Sequence, residues 1–437
     1  MALVFLAVTS GLRALTLEAG ASRVDITPPN GLLLQGYPDP DSQRAATGVR
    51  DPLYARVLAL RVGGVCLAIV DLDLVAVFRP ESLEQLKEAT RPDVSNLIVT
   101  AIHTHSGPPI FSAASSKIQP WEADDVAKIA RAVHEAVSHL VPAKLGVGYG
   151  ECQIGHNRLR IERDGSVSWF DKNWTGTATA PIDPTVCVLR VDDMGGQPLA
   201  VLVNYACHPV IYGPDNRLYS ADFPGVITGV VERAIGNNAL CFYLQGGAGD
   251  VNANYAVSTL AQGAEEFCRR TGVELGQVAS DVAVKVHTEG CAHPSLQVAD
   301  DIVTIGPRWD AALWEAADPG AAARIASMTK ASYDLHVTTV LIDKCLAIVA
   351  MPGEPFVDFQ LQWRARCPVR DCLFMGYSNG YFGYLPTIRA ASWGGYGASH
   401  PSAWVEVGAG ERLLDHGLTR VYEMLGRLKP VPDDLQH

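Results

Sequence analysis

The sequence predicts a mixed α/β (α+β) domain, in which large mixed β-sheets are flanked by helices. Three observations carry that expectation. Apolar runs of strand length, rich in Val, Leu and Ile, recur along the chain. Segments with apolar residues at helical spacing lie among them, without a strict strand–helix–strand cadence. No internal repeat and no long Gly/Ser or Pro linker divides the 437 residues. One large domain over 19–437 is therefore expected. Residues 1–18 are expected to be a tail or remnant signal, and 290–332 is a candidate peripheral insertion.

The elements follow in order. "RVLALRVGGVCLAIVDLDLVAV" reads as a β-hairpin that turns at Gly63-Gly64. "SNLIVTAIHTHSGPP" is a buried strand that stops at Gly107-Pro108. "EADDVAKIARAVHEAVSHLV" has helical spacing, with acids in its first turn. Strands are expected around "AKLGVGYGECQIG", "SVSWF", "TVCVLRVDD" and "LAVLVNYACHP". "FPGVITGVVERAIGN" is a helix with Pro224 near its start. "ALCFYLQGGAGD" is a strand that runs into a glycine-rich loop. A long amphipathic helix covers about Gln262 to His287. "SLQVADDIVTI" and "TTVLIDKCLAIVAMPGEP" are strands with a helical segment between them, and "ERLLDHGLTRVYEML" is a closing helix.

Composition narrows the function. Hydrophobic residues make up 48% of the chain and charged residues 19%, enough apolar mass for a substantial core. A net charge of −12 argues against general nucleic-acid binding and against electrostatic docking on anionic lipid. The ten cysteines are scattered without a CxxC pair, several inside apolar runs, and read as buried thiols. Cys367 and Cys372 are close enough in sequence to pair, which spacing alone does not show. No run of about 18 apolar residues suggests a membrane span. The N-terminal apolar stretch lacks a basic start, although "AGA" could serve as a cleavage site. A cytoplasmic protein is expected, with a secreted or periplasmic one as the alternative.

The unusual residues sit where apolar strands end: "HTHSGPP", "NYACHPV", "QGGAGDVNAN" and "MPGEP". Loops at strand ends are where a rigid scaffold displays functional groups. His103, His208 and Glu354 would make a two-histidine, one-carboxylate set of the kind that zinc accepts. Taken singly, a strand-end histidine is more often a satisfied polar residue than a ligand. If the "HTH" segment stays extended, His103 and His105 point to one side. "LQGGAGD" lacks the Lys-Ser/Thr pair of a phosphate loop. Asp71 and Asp73 could form a second carboxylate site, but strand-end acids are more often hydrogen-bonded to the backbone. His400 reads as an exposed loop residue.

"AGASRVDITPP", "AIHTHSGPP", "NYACHPVIYGPDNRLYSADFPG", "GGAGDVNAN", "MPGEPFVDF" and "GYSNGYFGYLPT" occur in the order found in the neutral ceramidase family, which the chain resembles from about Ala19 to about Tyr396. The resemblance implies a catalytic domain of that family's fold, with one zinc ion (Zn2+) held by His103, His208, Glu354 and Tyr384. It gives His105 the acid/base role, and an imidazole suits that role by titrating near neutrality. It makes Arg158 and Tyr396 the groups that steady an oxyanion. The bland readings are a packed aromatic for Tyr384 and a surface ion pair for Arg158.

There are departures from the family's pattern. Asn252, in "GDVNAN", stands where the family carries a serine needed for catalysis. An amide is a poor nucleophile, so attack by metal-activated water is expected, with Asn252 positioning the substrate carbonyl. The family's further β-sandwich domain is not expected in this chain. The leading expectation is a zinc-dependent hydrolase of a linear amide bond in a small-molecule or lipid-like acyl amide. A metal-dependent esterase or lactonase is one alternative, and a catalytically silent zinc-binding relative is the other.

Overall fold

The computed structural model describes residues 15–37, 44–110, 118–236, 238–310, 312–313, 316, 330–399 and 402–429. Most of the expected N-terminal tail, His400 and much of 290–332 lie outside these residues. Eight strands build the larger sheet: β1 (Leu17–Asp25), β2 (Tyr54–Val62), β3 (Val65–Leu72), β4 (Asn96–Ala101), β5 (Val141–Glu151), β6 (Thr185–Asp193), β7 (Pro198–Tyr205) and β8 (Leu240–Gln245). Their order is β8-β7-β6-β5-β1-β2-β3-β4. A second sheet contains β9 (Leu296–Ile305), β10 (Tyr333–Ile342), β11 (Leu346–Ala350) and β12 (Asp371–Met375), in that order. Within the segment considered an insertion, 296–305 is thus an edge strand of this sheet.

Side-chain alternation decides how the sheets stack. In β3, Cys66, Ala68 and Val70 join one apolar cluster, and Leu67 and Ile69 join another. In β7, Val201 and Val203 face the first cluster, and Ala200 and Leu202 the second. The second cluster also contains Val340, Ile342, Ile348 and Leu373, so it is the interior between the two sheets. The first lies beneath helices α1 (Pro80–Thr90), α2 (Pro120–Ser138), α3 (Phe223–Ile235) and α4 (Ala264–Lys285). A third covers the far face of the smaller sheet with α5 (Val357–Arg366) and α7 (Ala409–Met424); between them in sequence is the short α6 (Ile388–Trp393). The result is helices, sheet, sheet, helices, with both strand faces buried, which is why the strands read as near-continuous apolar runs.

Helix limits have local causes. Asp222 caps α3 by accepting from the Phe223 N–H at 2.7 Å, with Pro224 in the first turn and Gly236 at the end. The predicted hairpin is β2–β3, which closes with Val62 opposite Val65. The predicted long helix is α4, a little shorter than its apolar pattern. Asp73 accepts from Arg56 at 2.8 Å and from the Tyr54 N–H at 2.9 Å, so it is a structural acid. The ten cysteines are all free thiols, Cys367 and Cys372 included.

Two features position the site. Within these two sheets three strand pairs are parallel (β3 with β4, β7 with β8, β11 with β12), and the loops that follow β4, β7, β8, β11 and β12 meet at one place. Ligands in mixed sheets commonly sit outside the carboxyl ends of strands. The larger sheet also curls until its two edges touch. The Tyr243 N–H donates to Asp71 Oδ2 at 3.1 Å, and Gln245 Nε2 donates to the Ile102 carbonyl at 2.9 Å. Gln245 also brackets Cys207, donating to its carbonyl at 2.9 Å and accepting from its N–H at 3.2 Å. One buried amide therefore ties the residue before His103 to the residue before His208.

Candidate metal centre and active site

His103 and His208 point Nε2 at one carboxylate oxygen. Glu354 Oε2 lies 3.1 Å from His208 Nε2 and 3.4 Å from His103 Nε2. His105 Nε2 stands 3.3 Å from His103 Nε2, and ligand atoms of the three histidines lie within 4.8 Å of one another. Groups far apart in sequence thus converge on one point.

The other ring nitrogens separate the three imidazoles. His103 Nδ1 is 2.5 Å from the Val75 carbonyl, and His208 Nδ1 is 2.6 Å from the Ala248 carbonyl. A carbonyl only accepts, so each Nδ1 carries a proton, and in the neutral imidazole it is Nε2 that turns a lone pair toward the carboxylate. Lone pairs and an anion packed this closely repel unless a cation or proton lies among them. Metal-ligating histidines are oriented in this way, and the donor set suits a divalent transition metal. Buried His105 Nδ1 has no hydrogen-bond partner among the described residues, and its Nε2 faces His103 Nε2.

The chain does not remain extended through "HTH". His103 has φ of +74°, in the left-handed region, at a cost of order 1–3 kcal/mol. The His103 N–H donates to the Leu74 carbonyl at 2.9 Å and holds this turn. His103 and His105 therefore converge through a turn rather than through strand alternation. Gly36 makes room for His105: a Cβ on Gly36 would stand 2.3 Å from the imidazole Cγ, and φ there is +120°. Glu354 follows Gly353, which has φ of +65° and where a Cβ would stand 2.6 Å from the Gly383 carbonyl oxygen. Only glycine fits that crossing.

Arg158 occupies the other side. The pair Gly155–Asn157 with Val251–Ala253 sets it beside Asn252. Arg158 is 3% exposed. It donates to the Gly249 carbonyl at 2.6 Å and to Asn252 Oδ1 at 3.3 Å, and its Nε has no partner among the described residues. The rings of Trp169, Tyr384 and Tyr396 surround the guanidinium at 4.8, 5.0 and 5.5 Å. A surface ion pair is thus not what Arg158 forms. Asn252 Nδ2 donates to Asp171 Oδ1 at 3.1 Å, so its amide spans Arg158 and Asp171.

Residues 17–306 match the family described as "Neutral/alkaline non-lysosomal ceramidase, N-terminal". The chain belongs to that ceramidase family. Neutral ceramidase B of Dictyostelium discoideum is 25% identical over 272 residues, which are 56% of this chain and 37% of that protein. The chain thus spans little more than a third of the length of this curated relative. Two solved structures share the fold. The neutral ceramidase from Pseudomonas aeruginosa has a TM-score of 0.75 at 19% identity, covering 96% of this chain and 76% of that one. A ceramidase complexed with C2 also has a TM-score of 0.75, at 18% identity, covering 97% of this chain and 78% of that one.

In this ceramidase-family chain the tyrosines divide between the two sides. Tyr384, paired opposite Glu354 in a short parallel bridge, stacks on His208 at 6.5 Å and hydrogen-bonds Arg158. Tyr396 is hydrogen-bonded to Tyr384, meets Trp169 edge-on at 4.8 Å, and is 40% exposed. Sequence reasoning missed Tyr381, whose hydroxyl donates to Glu354 Oε1 at 2.5 Å, and Tyr377, whose ring lies 4.5 Å from that of His103. The three tyrosines of "GYSNGYFGYLPT" were the available signal. Trp169, Asp171 and Tyr37, which meets His105 edge-on at 5.0 Å, carried no signal of their own.

Burial sets the electrostatics of this ceramidase-family site. It pushes His105 well below the usual imidazole range, reinforced by His103 and His208. It lowers His208 to about 4, reinforced by Arg158. Burial alone would raise Glu354, but the two imidazoles beside it hold it well below the usual carboxylate range. Burial thus favours the neutral imidazole at His105 and His208, while Glu354 is held as an anion.

Proposed function

We propose that the chain is a zinc-dependent hydrolase of an N-acyl amide bond, with a lipid-like acyl amide as substrate. One observation carries this reading: His103 and His208 lock Nδ1 on backbone carbonyls and turn Nε2 toward Glu354 Oε2. Family membership supports the amide bond, and the relatives' name, ceramidase, supports the lipid-like acyl group.

His103, His208 and Glu354 would hold the cation, with Tyr384 beside His208. A divalent cation bound there supplies Lewis acidity to a carbonyl and lowers the pKa of water. His105 points Nε2 into the site, so it takes the proton as water oxygen bonds to the acyl carbon. It returns that proton to the nitrogen as the C–N bond breaks, so a carboxylic acid and an amine leave. Arg158, extended by Tyr384 and Tyr396, steadies the oxyanion that forms on the carbonyl oxygen. Asn252 pins Arg158 between Gly249 and Asp171 and offers no nucleophile.

The test is metal analysis of the purified protein, followed by a panel of acyl amides and esters with and without chelator. About one zinc per chain is expected, with amide turnover that chelation removes and added zinc restores. Amide turnover that survives full removal of metal would sink the proposal.

A further inference from the structure

We propose that Tyr381 is a positioning residue that occupies one oxygen of Glu354 and leaves the other for the cation; the inference rests on the metal-centre reading above. The two oxygens have separate partners. Oε1 accepts from the Tyr381 hydroxyl at 2.5 Å, and Oε2 faces His208 and His103 at 3.1 and 3.4 Å. A hydroxyl that donates to a carboxylate makes a short, charge-assisted bond. It stops the carboxyl from rotating and from presenting both oxygens to one ion.

Tyr381 is itself held. Its ring meets Trp404 edge-on at 5.7 Å. The backbone on either side is stitched to the Glu354 segment: the Gly353 N–H donates to the Gly380 carbonyl at 3.0 Å, and the Glu354 N–H donates to the Gly383 carbonyl at 2.9 Å. Hydroxyl and carboxylate therefore ride on one framework. Tyr384, three residues on, bonds Arg158 instead. Partners that orient a ligand commonly tune metal affinity 10–100-fold, so about that loss is expected when the hydroxyl is removed.

The experiment compares full-length wild type with Tyr381→Phe. Zinc affinity is read by chelator competition, and coordination by the visible spectrum of the cobalt-substituted proteins. Zinc is expected to bind about 10–100-fold more weakly in the variant, with an altered cobalt spectrum. The unfolding midpoint of chelator-treated protein should stay unchanged, and the zinc-dependent rise in that midpoint should shrink. Equal affinity and equal spectra overturn the inference, as does a fall in the metal-free midpoint that accounts for the whole loss. Wild type that takes up no metal refutes the metal centre itself, and this inference with it. If Tyr381→Phe does not fold, Trp404→Leu, which removes the wall behind the ring, should weaken zinc in the same direction; unchanged zinc affinity there also overturns the inference.

Discussion

The two halves of the site are built differently. On the inner half, the far side of each proposed ligand is held: His103 by Val75, His208 by Ala248, Glu354 by Tyr381. On the outer half, His105 Nδ1 and Arg158 Nε are buried without partners among the described residues, and Tyr396 is 40% exposed. A group that must hold an ion gains from fixed orientation. A group that moves a proton or meets charge as it develops needs an unspent valence. On the proposed function, the inner half would hold the cation and the outer half would carry the chemistry.

The largest expected effect breaks the inner half. His208→Ala leaves Glu354 facing one imidazole, and zinc affinity should fall by more than about 100-fold, read as metal content after gel filtration. Full zinc occupancy in the His103→Ala, His208→Ala double variant would remove the inner half altogether. Next, Arg158→Ala should lower kcat by about 10²–10³-fold while zinc content is unchanged, and Arg158→Lys should rescue little because the forked geometry is lost. Loss of zinc in Arg158→Ala would merge the two halves.

Gly36→Ala sharpens the boundary. Its Cβ would stand 2.3 Å from His105, so the imidazole must move. Turnover should drop by about 10²-fold with zinc retained. If zinc leaves with turnover, His105 belongs with the ligands. The smallest effect is expected from Asn252→Ala, which removes one acceptor from Arg158. A hydrogen bond of about 1–1.5 kcal/mol corresponds to roughly tenfold in kcat. A loss comparable to Arg158→Ala would show that Asn252 touches substrate.

Much of the site was legible because its residues carry chemistry at strand ends. His103, His208 and Glu354 were found from residue type and place, and they converge. What was not legible depends on direction. His103 and His105 share a site because His103 takes φ of +74°, which an alternation argument does not foresee. Tyr384 is adjacent to Glu354 in the backbone pairing, but Tyr381 is the tyrosine that touches the carboxylate. Asp71 looked like a candidate acid, and it accepts a backbone N–H where the sheet closes.

By itself the sequence determined many of the strands, the helices α2, α3, α4 and α7, the order of the polar signatures, and the residue types able to hold an ion. These follow from local apolar periodicity and from which side chains carry lone pairs. The tertiary structure alone decided that the signatures meet, which nitrogen of each imidazole faces inward, and which tyrosine holds the carboxylate. The physical reason is range. The contact that closes the curled sheet joins Gln245 to Ile102, 143 residues away in the chain, and no local pattern encodes the direction in which a side chain points after such a closure.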